Sequence, residues 1–262
     1  MMERFLERLS ISNYKDNFII KGGILISTFV GASLRSTMDI DTTLNNQNLD
    51  LNNIKKIIIS ILNERLGDGI SFDLKNIEKI MDEMEYPGFR ISINGKIKNA
   101  VVPFKIDIST GDSITPRAIE TTFNLTLKNK KIVLWTYNLE TTIAEKFQTI
   151  IVRDIFNTRM RDFYDIYILL KTNGDKIDYS ILKNAYIRTS STRKSTHLFG
   201  KEKDIIFRIE NDSNIKDLWN KYTNKYSYAA NISFFDIMKS IEKIGAVVNR
   251  KLSHLLVENW AT

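Results

Sequence analysis

Ile20-Lys21-Gly22-Gly23, followed by an apolar segment and then Arg35-Ser36-Thr37-Met38-Asp39-Ile40-Asp41, is the stretch that decides how this chain reads. The glycine pair stands where a helix begins. A helix start leaves backbone N–H groups without intrahelical partners, and with the helix dipole these suit a phosphate. In Asp39-Ile40-Asp41 the strand period of two puts both carboxylates on one face and turns Ile40 to the core. Two carboxylates on one face repel unless a cation lies between them, and an oxygen-only donor set favours magnesium, with manganese as the alternative. Taken singly, a Gly-Gly is most often a turn and an Asp-x-Asp most often a solvated strand face. The order and spacing of the two together are far more specific.

Three further stretches follow. In Phe104-Lys105-Ile106-Asp107-Ile108, Lys105 and Asp107 share the polar face of a strand, continuing into Ser109-Thr110-Gly111-Asp112-x-Ile114-Thr115-Pro116. On its own Asp107 reads as an exposed edge-strand aspartate. Beside the Asp-x-Asp strand it is a third hard-oxygen donor. In Thr142-Ile-Ala-Glu145-Lys146-Phe147, Lys146 lies one position from an apolar stripe, as either a lysine snorkelling over the core or a cation held for a triphosphate. In Asn157-Thr-Arg159-Met-Arg161-Asp162-Phe-Tyr-Asp165, the two aspartates share a helix face, and a surface ion pair between Arg161 and Asp162 is the plain reading.

With these four motifs in this order, the sequence resembles the nucleotidyltransferase-fold toxins of the AbiEii/AbiGii family, relatives of the MenT toxins. The resemblance covers roughly residues 18–170. It implies an α+β fold with a nucleotidyltransferase N-terminal domain, a mixed sheet flanked by helices. The composition shift near residue 137 sets the domain boundary, with that domain over 1–137 and an all-helical C-terminal domain over 138–262. The resemblance also implies catalytic roles for Asp39, Asp41, Lys146 and Asp162. Nucleotide contacts fall to Lys21, Gly22, Gly23, Arg35, Lys105, Arg161 and Asp165. Magnesium would be held by Asp39, Asp41 and Asp107, the last as ligand or general base. Asp162 is carried as catalytic and Asp165 as its orienting partner, although spacing alone allows either order. The substrates implied are a nucleoside triphosphate and an RNA, above all the 3′ end of tRNA, with a cognate antitoxin as partner in toxin–antitoxin or phage-defence (abortive infection) biology. A protein or small-molecule acceptor, or a non-catalytic nucleotide- or RNA-binding module, are the competing classes.

Bulk composition narrows the field. The 262 residues allow one large or two ordinary domains. The chain has no cysteine, which excludes disulfides, thiolate metal sites and a cysteine nucleophile, and fits a reducing cytosol. Only His197 and His254 are present, so a multi-histidine zinc site is not expected. Net charge is +7 and uneven: residues 1–170 hold 22 basic against 21 acidic groups, and 171–262 hold 16 against 10. A basic C-terminal part suits a polyanion, though a well-solvated helical surface gives the same count. No apolar run approaches the ~20 residues needed to span a bilayer, and the N-terminus lacks a signal-peptide plan, so a cytoplasmic protein is expected.

Local patterns give the elements. Residues 2–14 read as an amphipathic helix, 24–34 as a buried helix, and 39–44 as the first strand, closed by the loop Asn45-Asn-Gln-Asn. Residues 50–66 form a core helix ended by Gly67-Asp-Gly69. Strands over 89–93 and 97–108 flank Asn94-Gly95 as a two-residue hairpin, and 131–137 is a further strand. Asn138 caps a helix with Leu139, Ile143, Phe147, Ile150 and Ile151 as its apolar stripe. Thr189 to Ser195 reads as a polar basic loop interrupting the helical half.

Overall fold

A computed structural model of the chain describes residues 1–31, 33–35, 37–45, 50–81, 87–126 and 130–249. Ser36, the loop residues 46–48 and His254 lie outside the described residues. The chain divides into two compact units, 1–112 with 117–137, and 113–116 with 138–262.

The first unit is a seven-stranded mixed sheet with helices α1 (Met2–Ile11), α2 (Gly22–Val30) and α3 (Leu51–Leu62). Its strands are β1 (Phe18–Lys21), β2 (Asp39–Leu44), β3 (Ile70–Met81), β4 (Pro87–Ile97), β5 (Ala100–Ser109), β6 (Ile119–Leu125) and β7 (Lys130–Thr136), in the order β3-β4-β5-β2-β1-β7-β6. The pairs β2/β5 and β1/β7 are parallel and the others antiparallel. Alternation places Phe89, Ile91 and Ile93 of β4 and Phe104, Ile106 and Ile108 of β5 in the core. Helix α3 buries Ile54, Ile57, Ile58 and Ile61, and Asp50 caps it by accepting from the Asn53 N–H at 2.9 Å.

Several local expectations shift. The hairpin turn lies at Lys98-Asn99, not Asn94-Gly95: Ile97 pairs with Ala100, and Lys98 takes φ 49°. Asn94 and Gly95 stay inside β4, bonded to β3 on one side and β5 on the other. A Cβ on Gly95 would stand 2.7 Å from Met1 Sδ and 3.1 Å from the Phe72 ring, so this glycine serves packing rather than a turn. Phe18–Lys21 forms a strand ahead of β2, because its N–H and C=O groups find partners on both β2 and β7. Helix α1 stops at Ile11, α2 runs from Gly22 to a Gly31 at φ 96°, and α3 ends at Leu62, ahead of Gly67 and Gly69. Strands β3 and β6 were not foreseen.

The second unit is helical: α4 (Leu139–Arg153), α5 (Met160–Asn173), α6 (Tyr179–Thr192), α7 (Glu202–Asn211), α8 (Ser213–Lys225) and α9 (Phe234–Asn249). Asn138 caps α4 through the Thr141 N–H at 2.8 Å. Ile143, Phe147, Ile150 and Ile151 of α4 are buried, as are Phe163, Ile166 and Leu169 of α5. Ser113–Pro116 belongs to this unit, tied to α4 by the Thr115 N–H on Thr141 Oγ1 at 3.0 Å. The basic loop expected at 189–195 is mostly helix: α6 runs through Thr192, and Arg193 folds back to Glu145 at 2.9 Å. No described helix is long and apolar enough to cross a membrane.

Candidate active site

The acidic face is built by strand register. Parallel pairing sets Asp41 opposite Asp107 and Asp39 opposite Lys105, while antiparallel pairing sets Lys21 opposite Asp41. Ile40 and Ile106 are buried between them, and Asp39, Asp41 and Asp107 are each partly exposed. The sheet thus gathers three carboxylates from two strands on one face, with Lys105 exposed beside them.

The glycine pair abuts this face. Gly22 opens α2 at φ 64°, and a Cβ there would lie 1.9 Å from Asp41 Oδ2 and 2.6 Å from its Cγ. A Cβ on Gly23 would meet Thr37 Oγ1 at 2.7 Å and Arg35 Nη2 at 3.1 Å. Gly22 therefore meets both demands that select glycine, left-handed backbone and close approach. The side chains that close over the pair come from the same motif. Asp41 brings its carboxylate to the helix start, where the α2 N-terminus favours an anion. Arg35 is buried at 2% exposure against Gly23, a guanidinium fixed within the motif rather than displayed to solvent.

Two partnerships here were not legible in advance. Arg90 of β4 holds Asp107 with a two-pronged hydrogen bond, Nε to Oδ1 at 2.9 Å and Nη2 to Oδ2 at 2.7 Å. Its guanidinium is held well above its ordinary pKa, chiefly by that bond to Asp107, with a smaller contribution from the charge of Asp39. Lys21 points its ammonium to Asp112 Oδ2 at 2.7 Å and to Ser109 Oγ at 2.9 Å. Ser109 also donates to Asp112 at 2.6 Å, and Thr43 donates to the same carboxylate. Burial pushes the Asp112 carboxyl up, but the charge of Lys21 and the hydrogen bonds from Lys21, Ser109 and Thr43 outweigh it, leaving the group far below the carboxylate range.

Among the described residues no three histidine, cysteine, aspartate or glutamate side chains are gathered into a group that could hold a metal ion. Asp39, Asp41 and Asp107 nevertheless suit a hard divalent cation in residue type, in shared face and in their oxygen-only donors. Arg90 is the competitor already holding one of the three.

In the second unit, Lys146 of α4 reaches both aspartates of α5: Nζ lies 2.8 Å from Asp162 Oδ1 and 2.7 Å from Asp165 Oδ2. Asp162 and Asp165 are 3% and 0% exposed. Arg159 adds Nε to Asp162 Oδ2 at 3.0 Å. Lys146 is thus neither snorkelling nor solvent-facing, but the cation that permits two buried carboxylates on one helix face. The surface pair between Arg161 and Asp162 is replaced: Asp162 turns inward, while Arg161 lies over the Tyr226 ring at 5.8 Å and donates to its hydroxyl at 3.4 Å.

The profile of the nucleotidyl transferase AbiEii toxins, a type IV toxin–antitoxin system, matches residues 4–241. Among solved structures, the fold is similar to that of a protein from H. pylori described as a candidate nucleotidyltransferase. Identity is 15% and the TM-score 0.52, over 97% of this chain and 94% of that one. JHP933 from Helicobacter pylori aligns over 98% and 93%, at 15% identity and a TM-score of 0.47. A search of curated protein sequences found no match. The fold is therefore nucleotidyltransferase-like, with a C-terminal part that is helical among the described residues. With the profile extending over both the acidic sheet face and the Lys146 helix pair, the chain belongs to the AbiEii nucleotidyl transferase toxin family of toxin–antitoxin systems.

Proposed function

We propose that the protein transfers a nucleotide from a nucleoside triphosphate to the 3′ end of an RNA, with tRNA as the first acceptor to test and pyrophosphate as the leaving group. The single observation that carries this reading is the β2/β5 register, which sets Asp41 opposite Asp107 with Asp39 on the same face and the start of α2 alongside. Asp39, Asp41 and Asp107 would hold magnesium, or manganese in its place. Bound there, the ion would supply Lewis-acid stabilisation of the nucleotide phosphates and of the attacking oxygen.

The rest falls to the chain's own groups. The amides of Gly22 and Gly23 bind phosphate oxygens at the helix start. Lys105 adds positive charge beside the acidic face, Lys21, its charge matched by Asp112, is assigned to the nucleotide, and Arg35 braces the motif from beneath Gly23. Lys146 is assigned to the charge of the triphosphate and Asp162 to catalysis, with Asp165 fixing the ammonium of Lys146 and Arg161 contacting nucleotide. In the reaction a bond forms between the acceptor hydroxyl oxygen and the α-phosphorus as the bond to the β-phosphate oxygen breaks, and the hydroxyl proton passes to a carboxylate of this face. Positioning and charge neutralisation supply most of the acceleration in such transfers. Family membership implies a nucleotide substrate and an antitoxin partner. Action in the cytoplasm and in phage defence belongs to the proposal.

The test combines purified protein, magnesium, each α-labelled triphosphate in turn and total bacterial tRNA, with Asp41→Asn in parallel. Label entering RNA from one triphosphate, and lost in the variant, supports the reading and names the donor. Label entering protein moves the acceptor to a side chain. Triphosphate binding without transfer to any acceptor would leave a binding module and overturn the catalytic assignment.

A further inference from the structure

Phe156 is 82% exposed, the most exposed large apolar side chain among the described residues. It lies in a 3-10 turn, Asp154–Phe156, between α4 and α5. That turn is strained and heavily braced. Asp154 takes φ 49° and ψ −136°, a conformation that L residues seldom adopt. Arg208 of α7 pins its carboxylate through Nε at 3.1 Å and through a second bond from Nη2. The Ile155 N–H donates to Asp154 Oδ1 at 2.9 Å, the Asn157 N–H to the Asp154 carbonyl at 3.2 Å, and the Arg159 N–H to Asn157 Oδ1 at 2.8 Å. Phe207 and Phe235 are also exposed, but they sit inside regular helices, where an outward ring needs no special backbone. Only Phe156 of the three is presented by a strained, cross-braced turn.

Arginines adjoin it in the chain, and the Arg159 side chain, although paired with Asp162, stays half exposed. Arg153, Arg159 and Arg161 flank the turn, and the carboxylate of Asp154 is already taken by Arg208. Arg159 also touches Asp162, so the turn leads directly into the assigned catalytic helix of the same unit. We propose that Phe156 is a stacking platform for a base at the unpaired end of the acceptor RNA, with the half-exposed Arg159, three residues on, for the strand's phosphates. This rests on the RNA reading above. Aromatic rings with neighbouring guanidinium groups are the means by which unpaired strands are held without base-specific contacts. A protein partner fits less well: one ring offers about 200 Å² at most, whereas a stable interface needs about 800 Å² per side, and the residues next in line, Asn157, Thr158 and Arg159, are polar.

The experiment measures anisotropy of a fluorescein-labelled, unpaired ten-nucleotide RNA with the full chain and with Phe156→Ala, Phe156→Leu and Phe156→Trp, at several salt concentrations. Phe156→Ala should weaken binding roughly tenfold with the salt slope unchanged, since no charge is lost. Leucine should behave as alanine does, and tryptophan should bind at least as tightly as the native ring. Binding of the magnesium triphosphate without RNA should be the same in all four proteins. Equal RNA affinity of Phe156→Ala and wild type overturns the platform while leaving the RNA reading intact. Full affinity in Phe156→Leu overturns stacking, and an equal fall in triphosphate affinity reassigns the ring to the donor base. A wild-type protein that binds no RNA removes the RNA reading itself, and the platform with it.

Discussion

Replacing Gly22 by alanine tests whether the glycine pair and the Asp-x-Asp strand form one packed unit. Two penalties are expected. Left-handed backbone at φ 64° costs a residue with a Cβ about 1–2 kcal/mol. The new methyl would also stand 1.9, 2.6 and 2.7 Å from Oδ2, Cγ and Cβ of Asp41, all inside contact distance, so that side chain must move. Overpacking of this kind costs about 1–3 kcal/mol, giving a total of about 2–5 kcal/mol. The three nearest atoms all belong to Asp41, so its removal should relieve the second penalty alone. Urea unfolding of Gly22→Ala, Asp41→Gly and the double variant provides the cycle. Gly22→Ala should cost only about 1–2 kcal/mol in the Asp41→Gly background, a coupling of about 1–3 kcal/mol. Coupling below about 0.5 kcal/mol, the ordinary limit of additivity, would refute the close approach.

Other outcomes follow from the same structure. Lys146→Met strips the ammonium from two buried carboxylates and should cost about 3–5 kcal/mol in denaturant unfolding; a loss under 1 kcal/mol would mean that Asp162 and Asp165 do not depend on it. Because the carboxyl of Asp112 is depressed on folding, its lock with Lys21 contributes fully above the unfolded carboxyl value near ~4 and fades as pH falls through the lower folded value. Stability of the wild type measured from pH 6 to pH 2 should therefore drop more steeply than that of Asp112→Asn, and parallel curves would contradict the lock. Lys98→Gly, at φ 49° in the true hairpin turn, should be neutral or stabilise by up to about 1 kcal/mol, while Gly95→Ala should destabilise by its contact with Met1 and Phe72. Both are read from melting curves, and the opposite order would return the turn to Asn94-Gly95.

What the sequence disclosed depended on the range of the signal. The period of two in Asp39-Ile40-Asp41 and Lys105-Ile106-Asp107 is local, and the structure places those side chains on the faces it predicts. The spacing that puts Asp162 and Asp165 on one helix face is local too. Their shared cation was not legible as a contact, since it needs α4 packed on α5. Arg90 was missed because only antiparallel pairing of β4 with β5 sets it opposite Asp107. Asp112, Ser109 and Thr43 meet Lys21 through three strands and a loop, a convergence without any sequence period. Asn94-Gly95 misled for the reverse reason: a strong turn dipeptide was overridden by strand neighbours on both sides. Strand β3, with the run Asp73-Leu74-Lys75-Asn76-Ile77-Glu78-Lys79, carries too much charge to stand out, and a register shift between Leu74 and Asn76 breaks its alternation.

The pairing of β2 with β5 also governs how this sequence can change over time. One residue inserted or deleted within β5 would rotate Asp107 into the core and bring Ile106 or Ile108 out to water, exchanging the chemistry of the face with the packing beneath it. Single-residue length changes within Lys105–Ser109, the part of β5 paired with β2, should therefore abolish the proposed activity. In the connections between motifs the chain can lengthen or shorten without disturbing that pairing, whereas the two-residue Lys98-Asn99 turn itself sets the β4/β5 register that brings Arg90 to Asp107. Descendants of this chain should thus vary freely in the distance from one motif to the next, while the count of residues inside each motif behaves like a reading frame.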